Sequence, residues 1–161
     1  MDTLDVRPRP GVVLKHFTAR DMVSRWDVVE VHTRATARTA TGFLATLQQR
    51  MLFRIRALQV DGGSEFAAAF EAACQQRGLR LFVLPPRSPK LNGCVERAQR
   101  THTEEFYEVT DCARELGGLN QALRVWERIY NTVRPHQALG SLTPQQFLRR
   151  HQALREQAEC H

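Results

Sequence analysis

Cysteine pairs, long apolar runs and repeated segments are all missing from this chain of 161 residues. The four cysteines lie far apart and form no Cys-x-x-Cys pair, which argues against a structural zinc site and against a disulfide framework. Reduced thiols, as in a cytosol, are therefore expected. No apolar run approaches the roughly eighteen residues that a membrane-spanning helix needs, and no signal peptide is visible. These absences predict a cytoplasmic protein without a membrane partner.

Acidic residues are fewer than basic ones. The chain has 23 Lys and Arg residues against 17 Asp and Glu residues, which gives a net charge of +6 and a pI of about 9.8. A basic surplus favours polyanionic partners such as DNA. The length suits one domain with a buried core.

The first half of the chain alternates between strand-like and helical patterns. β-branched and aromatic residues predict strands at 12–17, 26–31, 55–60 and 79–84. A helix is predicted for 37–50, with Phe43, Leu44 and Leu47 on one face. A second helix is predicted for 65–77, with Ser64 as its N-cap and Gly78 as its stop signal.

The second half of the chain is predicted to be helical. One long helix should run from 91 to about 114 and end at Gly117-Gly118, and another should cover 119–130. Thr143-Pro144 should open a last helix, since Thr is a good N-cap and Pro suits the first helical position. Strands alternating with helices predict a mixed sheet flanked by helices.

Two acidic motifs stand thirty-five positions apart. Asp61 closes an apolar stretch and is followed by Gly-Gly-Ser-Glu-Phe at 62–66; Glu96 follows Ser-Pro-Lys-Leu-Asn-Gly-Cys-Val at 88–95. Carboxylates delivered from a strand end and a helix start, beside basic residues, can hold Mg²⁺ against a phosphate. Each acid also has a plainer interpretation, because Asp-Gly is common in turns and acids stabilise helix N-termini.

In this order the motifs resemble the catalytic core of the DDE transposases and retroviral integrases, and in particular that of bacterial insertion-sequence transposases. A third motif, Tyr-Asn-Thr-Val-Arg-Pro-His at 130–136, extends the resemblance over nearly the whole chain. The chain departs from the family at Gly62, where relatives usually have Asn. This departure puts the fine positioning of metal or DNA in question.

The resemblance implies an α/β, ribonuclease H-like fold: a mixed five-stranded sheet flanked by helices, with a helical C-terminal part. Residues 1–161 would form one integrase-like core domain, with 140–161 as a C-terminal helical tail. Only Met1 precedes Asp2, so we expect a first strand that is truncated at its N-terminus. Two explanations for this truncation are open: the chain is an expressed fragment, or its reading frame has lost the 5′ part.

A triad of catalytic, metal-binding acids is implied by the same resemblance: Asp2, Asp61 and Glu96. The identity of the first acid is open on spacing alone, because four acids lie in the strand region: Asp2, Asp5, Asp21 and Asp27. Asp2-Thr3 fits the family's first-strand pattern, 59 residues before Asp61. Asp21 instead resembles an acid of the second strand that is usually structural.

The resemblance further implies two Mg²⁺ ions, with Mn²⁺ as a substitute, about 3.5–4 Å apart. One ion would activate water or a DNA 3′-hydroxyl, and the other would stabilise the leaving oxygen. The expected partners are transposon ends, target DNA and further copies of the chain, in a bacterial cytoplasm near the nucleoid. The residues expected to contact DNA are Lys90, Asn92, Arg97, Gln99 and Arg100. His136 is interpreted as structural.

Two other functions stay open at this stage. A ribonuclease H-like nuclease would share the metal chemistry but would only hydrolyse. A catalytically impaired transposase remnant would act only in DNA binding or oligomerisation, and the short first strand and Gly62 favour it.

Overall fold

The computed structural model describes residues 1–85, 89–111 and 115–159; for 89–92 and 154–159 it describes the backbone alone. The strands are β1 (Asp2–Arg9), β2 (Val12–Arg20), β3 (Asp27–His32), β4 (Ala57–Val60) and β5 (Arg80–Val83). The α-helices are α1 (Ala37–Arg50), α2 (Ala69–Gln76), α3 (Pro89–His102), α4 (Leu116–Thr132) and α5 (Pro144–Glu159). Two 3₁₀ turns (Ser64–Phe66 and Gln137–Leu139) and a π-helical turn (Thr103–Tyr107) complete the described elements.

The strands form two sheets among the described residues. An antiparallel sheet has the order β1-β2-β3, and β4 pairs in parallel with β5 across the α2 connection. The α-amino group of Met1 donates a hydrogen bond of 2.6 Å to the carbonyl oxygen of Gln59 in β4. This one bond links the start of β1 to β4 but does not make a ladder. The mixed α/β architecture is as expected, whereas the single five-stranded sheet is not found.

Helices cover both faces of the antiparallel sheet. On one face, Phe17 and Val28 pack with buried residues of α1, α2 and β4. On the other face, Val29 and Val31 pack with Leu119 and Leu123 of α4. The alternation of Val28 and Val29 follows from the two-residue period of a strand. On α1, Phe43, Leu44 and Leu47 are fully buried, which confirms the predicted apolar face.

Two helix boundaries follow the capping signals of the sequence. At Gly78, φ is +66°, and the amides of Gly78 and Leu79 bond back to Gln75 and Cys74, as in a Schellman motif. At the start of α5, Thr143 and Gln146 exchange side chain-to-backbone hydrogen bonds of 2.9 and 3.1 Å, which form a capping box. The predicted bounds of α1 agree with the structure.

Two predicted helices are wrong in detail. The helix expected at 65–77 is interrupted at Ala68, where φ is +42°, so that Ser64–Phe66 forms a separate 3₁₀ turn and α2 starts at Ala69. This break lets Phe66 pack edge-on against Phe70. Gly117-Gly118 does not end a helix but lies in the first turn of α4, where a weak helix former costs little.

The described helices include none that is both long and apolar enough to cross a membrane.

Candidate active site

Asp2 and Asp61 lie where the start of β1 comes beside the end of β4. Asp61 directly follows β4, and Asp2 is the first residue of β1, which the Met1–Gln59 hydrogen bond holds beside β4. Asp2 is 6% exposed. Burial raises the pKa of Asp61, the negative charge of Asp2 raises it further, and the amide of Gly63 opposes the shift by donating to Oδ1 at 3.3 Å. Two of the three predicted acids, Asp2 and Asp61, therefore interact electrostatically.

Glu65 is a third carboxylate at this place, although it is not among the predicted site residues. Its Oε1 accepts a 2.6 Å hydrogen bond from the hydroxyl of Thr3, and the amide of Thr3 donates to Oδ1 of Asp2 at 2.8 Å. A Cβ atom at Gly63 would lie 2.8 Å from Oε2 of Glu65 and 3.1 Å from Oδ1 of Asp61. Both carboxylates thus border Gly63, and Glu65 links the first strand to the turn after Asp61.

Glu96 is the third of the predicted acids. It is an exposed residue of α3. Within the part of the chain that the structure describes, no group of three or more His, Cys, Asp or Glu side chains is placed to share a metal ion. The role of Glu96 as third ligand stays a prediction.

The other acids of the strand region are engaged elsewhere. Asp5 is exposed and pairs with Lys15. Asp21 accepts hydrogen bonds of 2.7 Å from both the amide and the hydroxyl of Ser24 and so closes the β2–β3 turn. Asp27 is fully buried in an ion pair with Arg20. Among the four alternatives, Asp2 is the one whose charge raises the pKa of Asp61.

A buried charge network connects α3 to the antiparallel sheet. The guanidinium of Arg20 donates two hydrogen bonds of 2.7 Å to Asp27, and its Nη1 donates to the carbonyl of Cys94 at 3.2 Å. Nε2 of His102 lies 3.1 Å from Oδ2 of Asp27. Burial alone would raise the pKa of Asp27, but Arg20 and His102 outweigh it and lower the pKa to about 2. Glu96 lies between Cys94 and His102, so this network fixes the helical turns that carry it.

The third motif, residues 130–136, packs against the same network. The hydroxyl of Tyr130 contacts Arg20. The amide side chain of Asn131 bonds both the N–H and the C=O of Asp27, at 2.9 and 2.7 Å, and so acts like a neighbouring strand. His136 is buried beside the Tyr130 carbonyl, with Nε2 3.2 Å away. Its described contacts are those of a structural residue.

Three of the residues expected to contact DNA have described side chains, and these three do not share one face of α3. Arg97 and Arg100 are exposed, and Arg100 also pairs with Glu104 at 2.8 Å. Gln99 is 6% exposed and points into the protein, so burial argues against a DNA contact there. The side chains of Lys90 and Asn92 lie outside the described residues.

Comparisons with known proteins place the chain among integrase-like proteins. A family model for the integrase core domain matches residues 77–144, a region that contains Glu96 and the third motif. The chain is 32% identical over 109 residues to an uncharacterized 39.2 kDa protein of insertion element IS476 from Xanthomonas euvesicatoria. That match covers 63% of this chain and 30% of the relative.

Two solved structures share the fold. The catalytic core domain of BIV integrase matches with a TM-score of 0.71 and 22% identity, over 94% of this chain and 95% of the other. A chain of the simian T-cell lymphotropic virus intasome, solved in complex with the PP2A regulatory subunit B56 gamma, matches with a TM-score of 0.76 and 18% identity. That match covers 91% of this chain and 52% of the other. Together the comparisons support membership of the DDE transposase and integrase superfamily.

Members of this superfamily act on DNA, in integration and transposition. The fold of the chain is that of an integrase catalytic core. The chain spans under a third of the insertion-element relative, so the activity of a whole transposase is a separate question.

Proposed function

We propose that this chain is the catalytic core of a DDE transposase, which cleaves DNA ends and joins them to a target by metal-dependent phosphoryl transfer. One observation carries the proposal. The Met1–Gln59 and Thr3–Glu65 hydrogen bonds hold the start of β1, with Asp2, beside the segment that follows β4, with Asp61, although the two strands belong to different sheets. Burial and the charge of Asp2 raise the pKa of Asp61, as expected for neighbouring carboxylates without a cation between them.

The donor set fits a divalent metal ion. Carboxylate oxygens are hard ligands of the kind that Mg²⁺ and Mn²⁺ prefer. Asp2 and Asp61 would bind the ion, and Glu96 would complete the set when DNA lies along α3. A bound ion would supply charge stabilisation at the scissile phosphate and a more acidic attacking hydroxyl.

The surrounding residues keep these acids in place. The Gly63 amide and the Thr3 amide each donate to one of the two carboxylates, and Glu65 holds Thr3 in position. On α3, the network of Arg20, Asp27 and His102 fixes the backbone around Glu96. Arg97 is exposed one residue after Glu96, where a guanidinium can meet a DNA phosphate.

Calorimetric titration with Mn²⁺ tests the metal site without requiring activity. We expect binding by the wild type and a loss of at least about tenfold in affinity for Asp61→Ala. The matched control is Asp5→Ala, since Asp5 lies on the same strand as Asp2 but pairs with Lys15. Equal binding by the wild type and Asp61→Ala would refute the assignment, and equal losses in Asp61→Ala and Asp5→Ala would reduce it to a general charge effect.

A non-catalytic remnant is the second candidate. It is favoured by the exposure of Glu96, which belongs to no group of three metal-ligating side chains among the described residues. Such a protein would bind DNA or pair with an intact transposase. A pre-cut DNA end separates the possibilities: a transposase joins it to another duplex, a ribonuclease H-like nuclease only hydrolyses, and a remnant does neither.

A further inference from the structure

A basic cleft lies between α3, the β2–β3 turn and the segment that follows α4. Its volume is about 750 Å³. Among the described residues that line it are four arginines, Arg20, Arg25, Arg97 and Arg134, and no Asp or Glu. The cleft includes Cys94 and Arg97, which flank the predicted acid Glu96 on α3.

Two of the four arginines are neutralised by acidic partners outside the lining of the cleft. Arg20 is paired with Asp27, and Arg134 makes a two-pronged pair with Glu105. Both guanidinium groups lie against the ring of Tyr130, with centroid distances of 5.5 and 5.4 Å. They build the inner wall of the cleft and add little net charge to it.

Arg25 and Arg97 supply the charge that remains. Arg97 is exposed, and Nη1 of Arg25 contacts the sulfur of Cys94. No ion pair with an acid is found for either side chain within the described part of the chain. The cleft therefore presents two guanidinium groups with no described acid in its lining, on a chain whose net charge is +6.

We propose that this cleft binds the phosphate backbone of the DNA substrate, with Arg25 and Arg97 as the contacting residues. Guanidinium groups recognise phosphate oxygens through paired N–H donors, so each of the two in this cleft can hold a phosphate of the strand. The proposal rests on the proposed function, because it names how the same protein holds its DNA beside α3. It also assigns Arg25, from the β2–β3 turn, to a surface that α3 alone would not provide.

The salt dependence of DNA binding tests this proposal. Affinity for a duplex is measured by fluorescence anisotropy in EDTA over a range of NaCl concentrations, so that neither metal binding nor cleavage contributes. Each lost phosphate contact should lower the slope of log K against log salt by about 0.9. We expect Arg25→Gln/Arg97→Gln to make the slope less steep by nearly the amount that corresponds to two phosphate contacts. This variant should also bind DNA more weakly at low salt.

A matched control removes the same charge elsewhere. Arg7→Gln/Arg38→Gln changes two exposed arginines, on β1 and α1, that do not line the cleft. This variant should keep the wild-type slope, and thermal unfolding should show that both double variants are folded. Equal slopes for the two double variants, or an unchanged slope for the cleft variant, would overturn the proposal. Failure of the metal site, by contrast, would leave these slopes as expected.

Discussion

Removing the negative charge of Asp27 should destabilise the protein more than most single substitutions. Asp27 is fully buried, and the side chain of its partner Arg20 is 5% exposed. In Asp27→Asn, an oxygen that faces Arg20 and His102 is replaced by an NH₂ group, so a buried guanidinium is left without its counter-charge. Breaking a buried ion pair in this way costs about 3–5 kcal/mol. Urea unfolding at neutral pH measures the change in the free energy of unfolding.

The double variant Asp27→Asn/Arg20→Met provides the internal control. Replacing both charges removes the unpaired guanidinium, and neutral replacements of buried pairs are often tolerated. The destabilisation of the double variant should therefore be smaller than the sum of the two single effects by at least about 2 kcal/mol, which is within the range measured for residues in one network.

The pH dependence of the free energy of unfolding gives a second test. The folded protein holds the pKa of Asp27 at about 2, below its ordinary value near 3.8. The stabilisation is therefore fully present above pH 4 and is lost as the pH falls through about 2. It amounts to about 2 kcal/mol. Two results together would show that the Arg20–Asp27 pair does not hold α3 on the sheet. The double variant would lose stability at acid pH as the wild type does, and the destabilisations of the two single variants would add up to that of the double variant.

Two further outcomes follow from the structure. Thr3→Val removes the hydroxyl that bonds Glu65 and should weaken Mn²⁺ binding by about tenfold or more, as for other residues that orient metal ligands. Thr3→Ser keeps the hydroxyl and should bind Mn²⁺ like the wild type. Equal Mn²⁺ affinities of Thr3→Val and Thr3→Ser would contradict this prediction. Thr143→Ala removes the side-chain half of the capping box at α5 and should lower the free energy of unfolding by about 1 kcal/mol. An unchanged urea midpoint would mean that α5 adds nothing to the cooperative fold.

Local signals predicted much of the secondary structure. The apolar face of α1, the Gly78 stop and the Thr143 cap each depend on residues within a few positions of one another, and each is found. Gly117-Gly118 was misread because a glycine pair near a helix end has the same composition whether it closes one helix or opens the next. The two-sheet arrangement was missed because strand patterns do not specify which strands pair.

Parts of the candidate site that depend on residues close together in the sequence could be predicted. Contacts between residues far apart in the sequence could not. Asp61 stands at the end of an apolar strand, whereas the choice of Asp2 as the first acid came from the family resemblance and stays a prediction. Glu65 belongs to the Asp61 motif, yet its partner Thr3 is 62 residues away in sequence. Asp27 looked like another strand acid, because only the folded protein shows Arg20 and His102 converging on it.

The most direct test of the central claim is the joining of a pre-cut DNA end to a second duplex. The wild-type chain should join DNA in Mg²⁺ or Mn²⁺ and should stop when EDTA is added. Asp61→Asn and Glu96→Gln should both be inactive while unfolding at the same urea concentration as the wild type. Metal-dependent joining that survives Asp61→Asn, or the absence of joining by a folded, metal-binding wild type, would contradict the account.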